Sequence, residues 1–268
     1  MILQAITVGP LVVRLYGLIL GVAIVVGASI AASFARKFEV RSAKFKIKSE
    51  YVWDGLVWAV VLGVIGARAY HVIDLWEFYS KNPGQMLAVW NGGLGIFGAI
   101  GGGTLGLWLF SKRESLSLAQ FLDVVAFGLP VAQAVGRLGN FVNQELYGKP
   151  FDFAQGKPPY YAIYISPESR LPGFEQFSHF HPLFVYEALL NLGLFGLLVL
   201  IYRKKILGVG RGKYFAIYLF GYSLIRFCLE PLRVEMWKVG VVPMAQLVSV
   251  VLMVLSLGWV IRSPKKVK

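Results

Sequence analysis

The chain has 268 residues, of which 57% are hydrophobic and 15% are charged. Soluble domains are typically about 45–50% apolar and about 25% charged. This composition, with a mean hydropathy of +0.63, therefore excludes an ordinary water-soluble globular protein. The net charge of +13 does not by itself indicate nucleic-acid binding, because basic residues concentrate on the cytoplasmic loops of membrane proteins. We expect an integral membrane protein with no nucleic-acid partner.

Several apolar segments are long enough to cross a bilayer, since a spanning helix needs about 20 mostly apolar residues. In chain order, the seven predicted spans are 8–34, 52–76, 87–110, 118–141, 182–202, 213–231 and 243–261. Lipid offers no partners for open backbone groups, so the predicted fold class is an all-α integral membrane protein with seven transmembrane helices. The whole chain, 1–268, is predicted to form a single membrane-embedded domain.

The Lys and Arg residues are distributed unevenly between the two sets of connecting segments. Seventeen of the 27 fall in segments 35–51, 111–117 and 203–213 and in the C-terminal tail, whereas six fall in the opposite loops. By the positive-inside rule, the N-terminus is predicted to lie outside and the C-terminus in the cytoplasm. Segment 142–181, between predicted helices four and five, would then form a periplasmic head in a bacterial-type inner membrane.

Four arginines remain inside or at the outer ends of predicted spans: Arg14, Arg68, Arg137 and Arg226. A charge at the bilayer centre costs at least about 2.5–3.5 kcal/mol on insertion scales, so these residues are candidates for function. The plainer alternative is that individual arginines snorkel to the interface or pair with a carboxylate. Guanidinium matches phosphate geometry, and the nearest abundant phosphate is a phospholipid headgroup. The sequence thus predicts an anionic lipid ligand.

Other polar side chains recur at helical spacing near these arginines. Tyr222, Arg226 and Glu230 follow one another every four residues and share one face of the sixth predicted helix. In the fifth predicted helix, Glu187 and Asn191 lie one turn apart, and Glu187 is expected to be a structural partner of an arginine. In the fourth, Arg137, Asn140, Gln144 and Gly148 would share a face if the helix continued that far.

Some features favour a structural interpretation. Gly98 and Gly102, and likewise Gly17 and Gly21, have the GxxxG spacing of closely packed helices. The single cysteine, Cys228, is predicted to be a small buried hydrophobe, since free cysteine often packs in that way. The histidines lack any metal-ligand spacing, so no metal is expected.

The stretch GRLGNFVNQELYG at 136–148 resembles the signature of the prolipoprotein diacylglyceryl transferase family, G-R-x-[G/A]-N-F-x-N-x-E-x-x-G, at every fixed position. Further motifs resemble that family in the same order along nearly the whole chain: RLYG at 14–17, GAR at 66–68, WNGGLGIFG at 90–98, HPLFVYE at 181–187 and GYSLIRFCLEPLR at 221–233. The family's seven-span topology with an external N-terminus agrees with the span count.

The resemblance implies that the protein moves the diacylglyceryl group of phosphatidylglycerol to the lipobox cysteine thiol of a prolipoprotein, forming a thioether and releasing glycerol phosphate. It implies a multi-pass enzyme of the bacterial inner membrane, without a cofactor, whose partners are that lipid, prolipoprotein signal peptides and the bilayer. Arg137 and Arg226 would stabilise the leaving phosphate, and Tyr222 is the third catalytic candidate. The implied substrate-binding residues are Arg137, Asn140, Asn143, Glu145, Gly148, Tyr16, Arg68, His181, Tyr186, Glu187, Glu230 and Arg233.

One position departs from the family pattern. The third-helix motif commonly reads G-G-x-x-x-H-G, with the histidine a proposed base, whereas this chain has Phe97 there. Another group, such as His181 or Tyr222, could take the thiol proton, or the histidine is dispensable, or the chain is a divergent paralogue of low activity. A transporter or a lipid-binding membrane protein without chemistry is the alternative function, although the chain shows no internal repeat.

Overall fold

The computed structural model describes residues 5–8, 11–151, 158–234 and 236–262. The α-helices of this part of the chain are α1 (Leu15–Arg41), α2 (Ser49–Asp74), α3 (Trp76–Tyr79), α4 (Ile96–Arg113), α5 (Leu118–Asn143), α6 (Leu183–Arg203), α7 (Lys213–Leu229) and α8 (Met244–Arg262). Three antiparallel strand pairs accompany them: β1 (Ala5–Val8) with β2 (Leu11–Arg14), β3 (Ile163–Tyr164) with β4 (His179–Phe180), and β5 (Lys238–Val239) with β6 (Val242–Pro243). Short 3-10 helices lie at Pro83–Gln85, Val89–Asn91, Pro167–Ser169 and Glu230–Leu232.

Within the described residues, six helices are long and apolar enough to cross a membrane, namely α1, α2, α5, α6, α7 with its following turn, and α8. The predicted class, a mostly helical multi-pass membrane protein, is therefore confirmed. The remaining predicted span, 87–110, corresponds to the 18-residue helix α4, which begins only at Ile96. Its glycines and its terminal Lys112 and Arg113 lower its hydropathy below that of the other six. The total of seven spans stays a prediction.

The first predicted span, 8–34, has the wrong boundaries. Ala5–Val8 and Leu11–Arg14 pair as a hairpin, and α1 begins only after it. The helix then continues to Arg41, so it includes Arg36 and Lys37, which were predicted to lie in a loop. An apolar run rich in β-branched residues is compatible with a strand or a helix. The composition of this segment therefore did not distinguish a strand from the start of a helix.

Helices α2 and α4 approach each other along a glycine seam. A Cβ on Gly98 or Gly102 would collide with a carbonyl oxygen of α2, so only glycine permits this backbone separation. The predicted packing role of this pair is confirmed. The prediction for Gly17 and Gly21 is wrong, because a Cβ at either position would meet open space.

Helix α5 lies at the centre of the bundle and packs against α1, α6 and α7. Near its N-terminal end, Phe127 stacks on Phe34 of α1 with ring centroids 3.8 Å apart, and Tyr214 of α7 packs on the same ring. Cys228 of α7 is exposed, contrary to the prediction of burial, and lies on an outward face of the bundle. An outward face in a membrane is itself apolar, so an apolar run does not by itself predict contact with other helices.

The segment between α5 and α6 folds back over the ends of these helices. It contains the β3–β4 pair, and its small core consists of Tyr147, Ile165, Phe180 and Phe184. This segment corresponds to the predicted head 142–181, of which residues 152–157 lie outside the described part, as does the tail 263–268 with its three lysines. The placement of the head on the periplasmic side stays a prediction.

Candidate active site

Arg137 lies one and a half turns before the end of α5 and links two polar side chains. Its Nη1 donates to Asn140 Oδ1 at 2.9 Å, and its Nη2 donates to Glu187 Oε1 of α6. Asn140 Nδ2 in turn donates to Glu145 Oε1 at 2.9 Å. The expected role of Glu187 as a partner of an arginine is confirmed by this contact. Glu145 orients Arg137 only indirectly, through the Asn140 amide.

Two further arginines extend this chain of contacts on and beyond α7. Glu187 Oε2 lies 3.6 Å from Arg226 Nη1, and Arg226 Nη2 donates to Glu230 Oε2 at 3.0 Å. Arg233 Nη1 lies 3.9 Å from the same Glu230 oxygen. We call Arg137, Arg226, Arg233, Glu187 and Glu230 the arginine cluster. Because α5 and α7 end where α6 begins, the cluster lies at one end of the bundle.

The ion pairs of the arginine cluster join three arginines to two glutamates, and a third carboxylate, Glu145, is linked to Arg137 only through Asn140. The carboxylates lie deepest, with Glu187 and Glu230 side chains 4% and 3% exposed. The arginine side chains are more accessible, with exposures of 17–20%. Fixed, partly desolvated guanidinium donors suit an anionic ligand with several oxygens, such as a phosphodiester.

Two tyrosines flank the arginine cluster. The ring of Tyr16 on α1 packs on Gly139 of α5, where a Cβ would lie 2.7 Å from a ring carbon. Tyr16 is within electrostatic range of Arg137 and Glu145. Tyr222 of α7 is within range of Arg137, Arg226 and Glu187. Both predicted pocket tyrosines therefore lie beside the charged groups.

A partly open cavity of about 250 Å³ lies outside the cluster, beyond the end of α5. Its lining is part polar and part apolar and consists of Asn143, Gln144, Glu145, Leu146, Tyr147, Ser169, Leu171 and Arg233. Helix α5 ends at Asn143, and Gln144 adopts a left-handed conformation with φ of 53°. The condition for a shared face, a helix that continues to Gly148, is therefore not met, and Gln144 and Gly148 do not continue the helical face of Arg137. The turn instead directs Gln144 to the backbone N–H of Ser166, at 2.9 Å.

Gly148 and His181 join the segment after α5 to the residues that precede α6. The Gly148 N–H donates to the His181 carbonyl at 2.8 Å, and a Cβ on Gly148 would lie 2.8 Å from His181 Cβ. The His181 ring packs on Phe151, and its Nδ1 lies 3.3 Å from the Tyr186 hydroxyl. Burial lowers the pKa of His181 below its ordinary value, which favours the neutral ring at pH 7.

Arg68 and Phe97 lie elsewhere. The buried Arg68 donates to the backbone carbonyls of Gln85, Met86, Gly92 and Gly93, so it holds the loop between α3 and α4. These hydrogen bonds do not reach the arginine cluster. Phe97 is largely exposed on α4 and packs near the ring of Tyr70, with centroids 5.9 Å apart.

Comparison with known proteins identifies the family. Residues 3–262 match the family model described as prolipoprotein diacylglyceryl transferase. The chain belongs to the prolipoprotein diacylglyceryl transferase family. A relative from Synechococcus elongatus, named phosphatidylglycerol–prolipoprotein diacylglyceryl transferase, is 37% identical over 94% of this chain and 85% of its own length. Relatives of the same name from Listeria monocytogenes and Fervidobacterium nodosum are 36% and 37% identical, over 96% and 87% of this chain and 88% and 76% of theirs.

In this family member, the structure brings together most of the residues that the sequence singled out. Arg137, Asn140, Glu187, Arg226 and Glu230 form one connected network, and Arg233 joins it from the following turn. Sequence reasoning missed Gln133 and Ser223, which are polar and lie within one turn of Arg137 and Arg226. Their spacing of four and three residues from these arginines is the sequence feature that would have predicted a position on the same helix faces.

Proposed function

We propose that the arginine cluster binds the phosphate of phosphatidylglycerol and stabilises it as the leaving group of diacylglyceryl transfer to a lipobox cysteine. The chain is a transferase of lipoprotein biosynthesis, as its family membership indicates. The observation that carries the site assignment is the grouping of three partly exposed arginine side chains over two buried carboxylates. Guanidinium groups donate hydrogen bonds in a geometry that matches the oxygens of a phosphodiester.

The reaction requires little from the protein beyond electrostatics and positioning. The substrate sulfur attacks the glycerol carbon that bears the phosphate oxygen, an S–C bond forms and the C–O bond breaks. The electron pair of the broken bond stays on the oxygen of the departing glycerol phosphate, and the thiol proton passes to a base and finally to that phosphate or to solvent. Preorganised cations next to the oxygen that gains charge lower this barrier. Arg137 and Arg226 supply them, and the adjacent Tyr222 is a further hydrogen-bond donor.

A base must receive the thiol proton, and Phe97 has no proton acceptor. A tyrosine hydroxyl is protonated at pH 7, so Tyr222 acts as a donor and His181 is the candidate base in this chain. The lowered pKa of His181 provides a neutral imidazole at pH 7, which is the form that accepts a proton. The substitution Phe97→His restores the residue that the family commonly has at this position. It tests whether that histidine raises the rate of transfer. A large gain in rate would identify Phe97 as the divergent position.

The remaining site residues have supporting roles in this proposal. Asn143 and Glu145 line the outer cavity, which would receive the glycerol headgroup, and Tyr16 would close its inner side. Seven spans with an external N-terminus would place this end of the bundle at the outer leaflet of a bacterial inner membrane. In that position the cluster meets both the lipid headgroup and an exported prolipoprotein.

The experiment that tests this function is transfer by the purified protein. Phosphatidylglycerol and a synthetic lipobox peptide are supplied in detergent, and mass spectrometry follows the peptide. We expect a product heavier by one diacylglyceryl group, and none with a peptide whose lipobox cysteine is replaced by serine. Absence of the product, in the presence of an active family enzyme assayed in parallel, would refute the proposal.

A further inference from the structure

Five buried side-chain atoms in the described residues have no hydrogen-bond partner, and all lie close to the arginine cluster. They are Gln133 Oε1, Arg137 Nε, Asn191 Nδ2, Asn191 Oδ1 and Ser223 Oγ. An unpaired buried polar atom costs about 1–3 kcal/mol. Their concentration at one place indicates that these groups pair with a ligand.

The three neutral residues occupy one level of the bundle. Gln133 precedes Arg137 by four residues on α5, and Asn191 follows Glu187 by four on α6. The Arg137–Glu187 contact joins two antiparallel helices. Moving from Arg137 to Gln133 and from Glu187 to Asn191 therefore leads in the same direction, away from the helix ends and about one turn (~5.4 Å) deeper into the bundle. Ser223 lies at the same depth, three residues before Arg226 on α7. We call Gln133, Asn191 and Ser223 the neutral layer.

The neutral layer differs in chemistry from the arginine cluster beside it. Asn191 is fully buried and Ser223 is 2% exposed, and neither carries a charge. Their unpaired donors, Asn191 Nδ2 and the Ser223 hydroxyl, suit an uncharged acceptor such as a carbonyl oxygen. The unpaired acceptors, Gln133 Oε1 and Asn191 Oδ1, suit ordered water or a rearranged hydroxyl.

A phospholipid presents its charged and uncharged acceptors in the same order as the arginine cluster and the neutral layer. Its ester carbonyls lie a few bonds from the phosphorus, on the side of the bilayer centre, at a distance comparable to one helical turn. We propose that Asn191 and Ser223 bind an ester carbonyl of the lipid whose phosphate occupies the arginine cluster. This inference rests on the proposed function. It makes the neutral layer a subsite that selects ester-linked over ether-linked lipids. Because Asn191 and Ser223 are buried, the surrounding helices must move for the lipid to reach them.

The test compares two lipids and four proteins. Diester phosphatidylglycerol and its di-O-alkyl analogue, which lacks both carbonyls, are assayed with the wild type, Asn191→Leu, Ser223→Ala and the control Ser249→Ala. Ser249 is an equally buried serine, but its hydroxyl donates to Ala245 O within α8 at 2.6 Å. We expect the wild type and the control to prefer the diester lipid in kcat/KM by about tenfold, the equivalent of one hydrogen bond to a buried donor.

In Asn191→Leu the preference should fall to near unity through loss of activity with the diester lipid, and in Ser223→Ala it should fall partly. The Tm of Asn191→Leu should not decrease, since an apolar side chain of similar size replaces an unpaired amide. A wild type that uses both lipids equally, or an Asn191→Leu variant that keeps the preference, overturns the inference. A wild type that transfers from neither lipid refutes the proposed function instead.

Discussion

Helix α5 carries two charges with different surroundings. Asp123 lies near its first turn and Arg137 near its last, roughly 21 Å apart along the helix axis at ~1.5 Å per residue. Asp123 is fully buried, and its two oxygens accept backbone N–H groups of Gly210, Gly212 and Tyr214 at 2.8–3.0 Å, together with those of Arg211 and Phe215. One carboxylate thereby caps the N-terminus of α7 from a neighbouring helix.

The Arg137 end is built in the opposite way. There three arginines share two ion-paired glutamates, and nearby polar atoms lack partners. A cluster whose members are all satisfied stabilises the fold, whereas one with unpaired buried atoms is prepared for a ligand. The comparison teaches that a charge in a membrane helix indicates function when some polar atoms around it lack hydrogen-bond partners. A charge whose hydrogen bonds are all satisfied indicates a structural role.

The largest expected effect is on catalysis, at Arg137. Arg137→Ala should lower the rate of transfer by about 10³-fold, because the leaving phosphate loses a preorganised cation. Arg36→Ala is the matched control, since Arg36 is an exposed arginine of α1 that takes no part in the cluster's ion pairs. Initial rates with phosphatidylglycerol and a lipobox peptide decide this. Equal rates for the two variants would remove Arg137 from the mechanism.

The second effect is on stability, at Asp123. Asp123→Ala should lower the free energy of unfolding by ~3 kcal/mol or more, because several buried N–H groups lose their acceptor at about 1–3 kcal/mol each. Thermal unfolding in detergent micelles measures it, with Asp54→Ala, at an exposed aspartate of α2, as the control. If Asp123→Ala unfolds like the control, the cap at α7 is not a stabilising contact and the contrast between the two ends is lost.

A smaller effect is expected at Glu187, which holds two arginines. Glu187→Gln should lower kcat by about 10–100-fold, because Arg137 and Arg226 lose the anion that fixes their positions. The KM for phosphatidylglycerol should not rise, since the cluster gains positive charge. Steady-state kinetics separate these parameters, and Glu77→Gln, at an exposed glutamate of α3, is the control. A raised KM with unchanged kcat would show that Glu187 only assists binding.

The smallest effect concerns pH. The pKa of His181 is lowered by burial, so the unfolded chain binds a proton at a higher pH than the folded chain does. Stability is therefore lost as the pH falls from the unfolded value of about 6.5 through the lower folded value. We expect Tm to fall less between pH 7 and pH 5 in His181→Gln than in the wild type. Parallel curves for the two proteins would show that His181 does not titrate in this range.

Much of the site was predictable from local spacing. The i, i+4 relation of Arg226 and Glu230 and the position of Glu187 near a helix start are sequence features that indicate inward faces. The role of Asp123 was not predictable, because its partners are backbone N–H groups almost 90 residues away that no side-chain pattern reveals. The same holds for Arg68, whose donors are used by loop carbonyls.

The central claim is that the arginine cluster binds the lipid phosphate, and thermal unfolding with added lipid tests it most directly. Wild type and Arg137→Ala are unfolded in micelles with phosphatidylglycerol or with diacylglycerol, which lacks the phosphate. At 100 times its Kd, phosphatidylglycerol should stabilise the wild type by about 2.7 kcal/mol, and diacylglycerol should do so much less. In Arg137→Ala the two lipids should become nearly equivalent. An undiminished preference for phosphatidylglycerol in the variant would contradict the account.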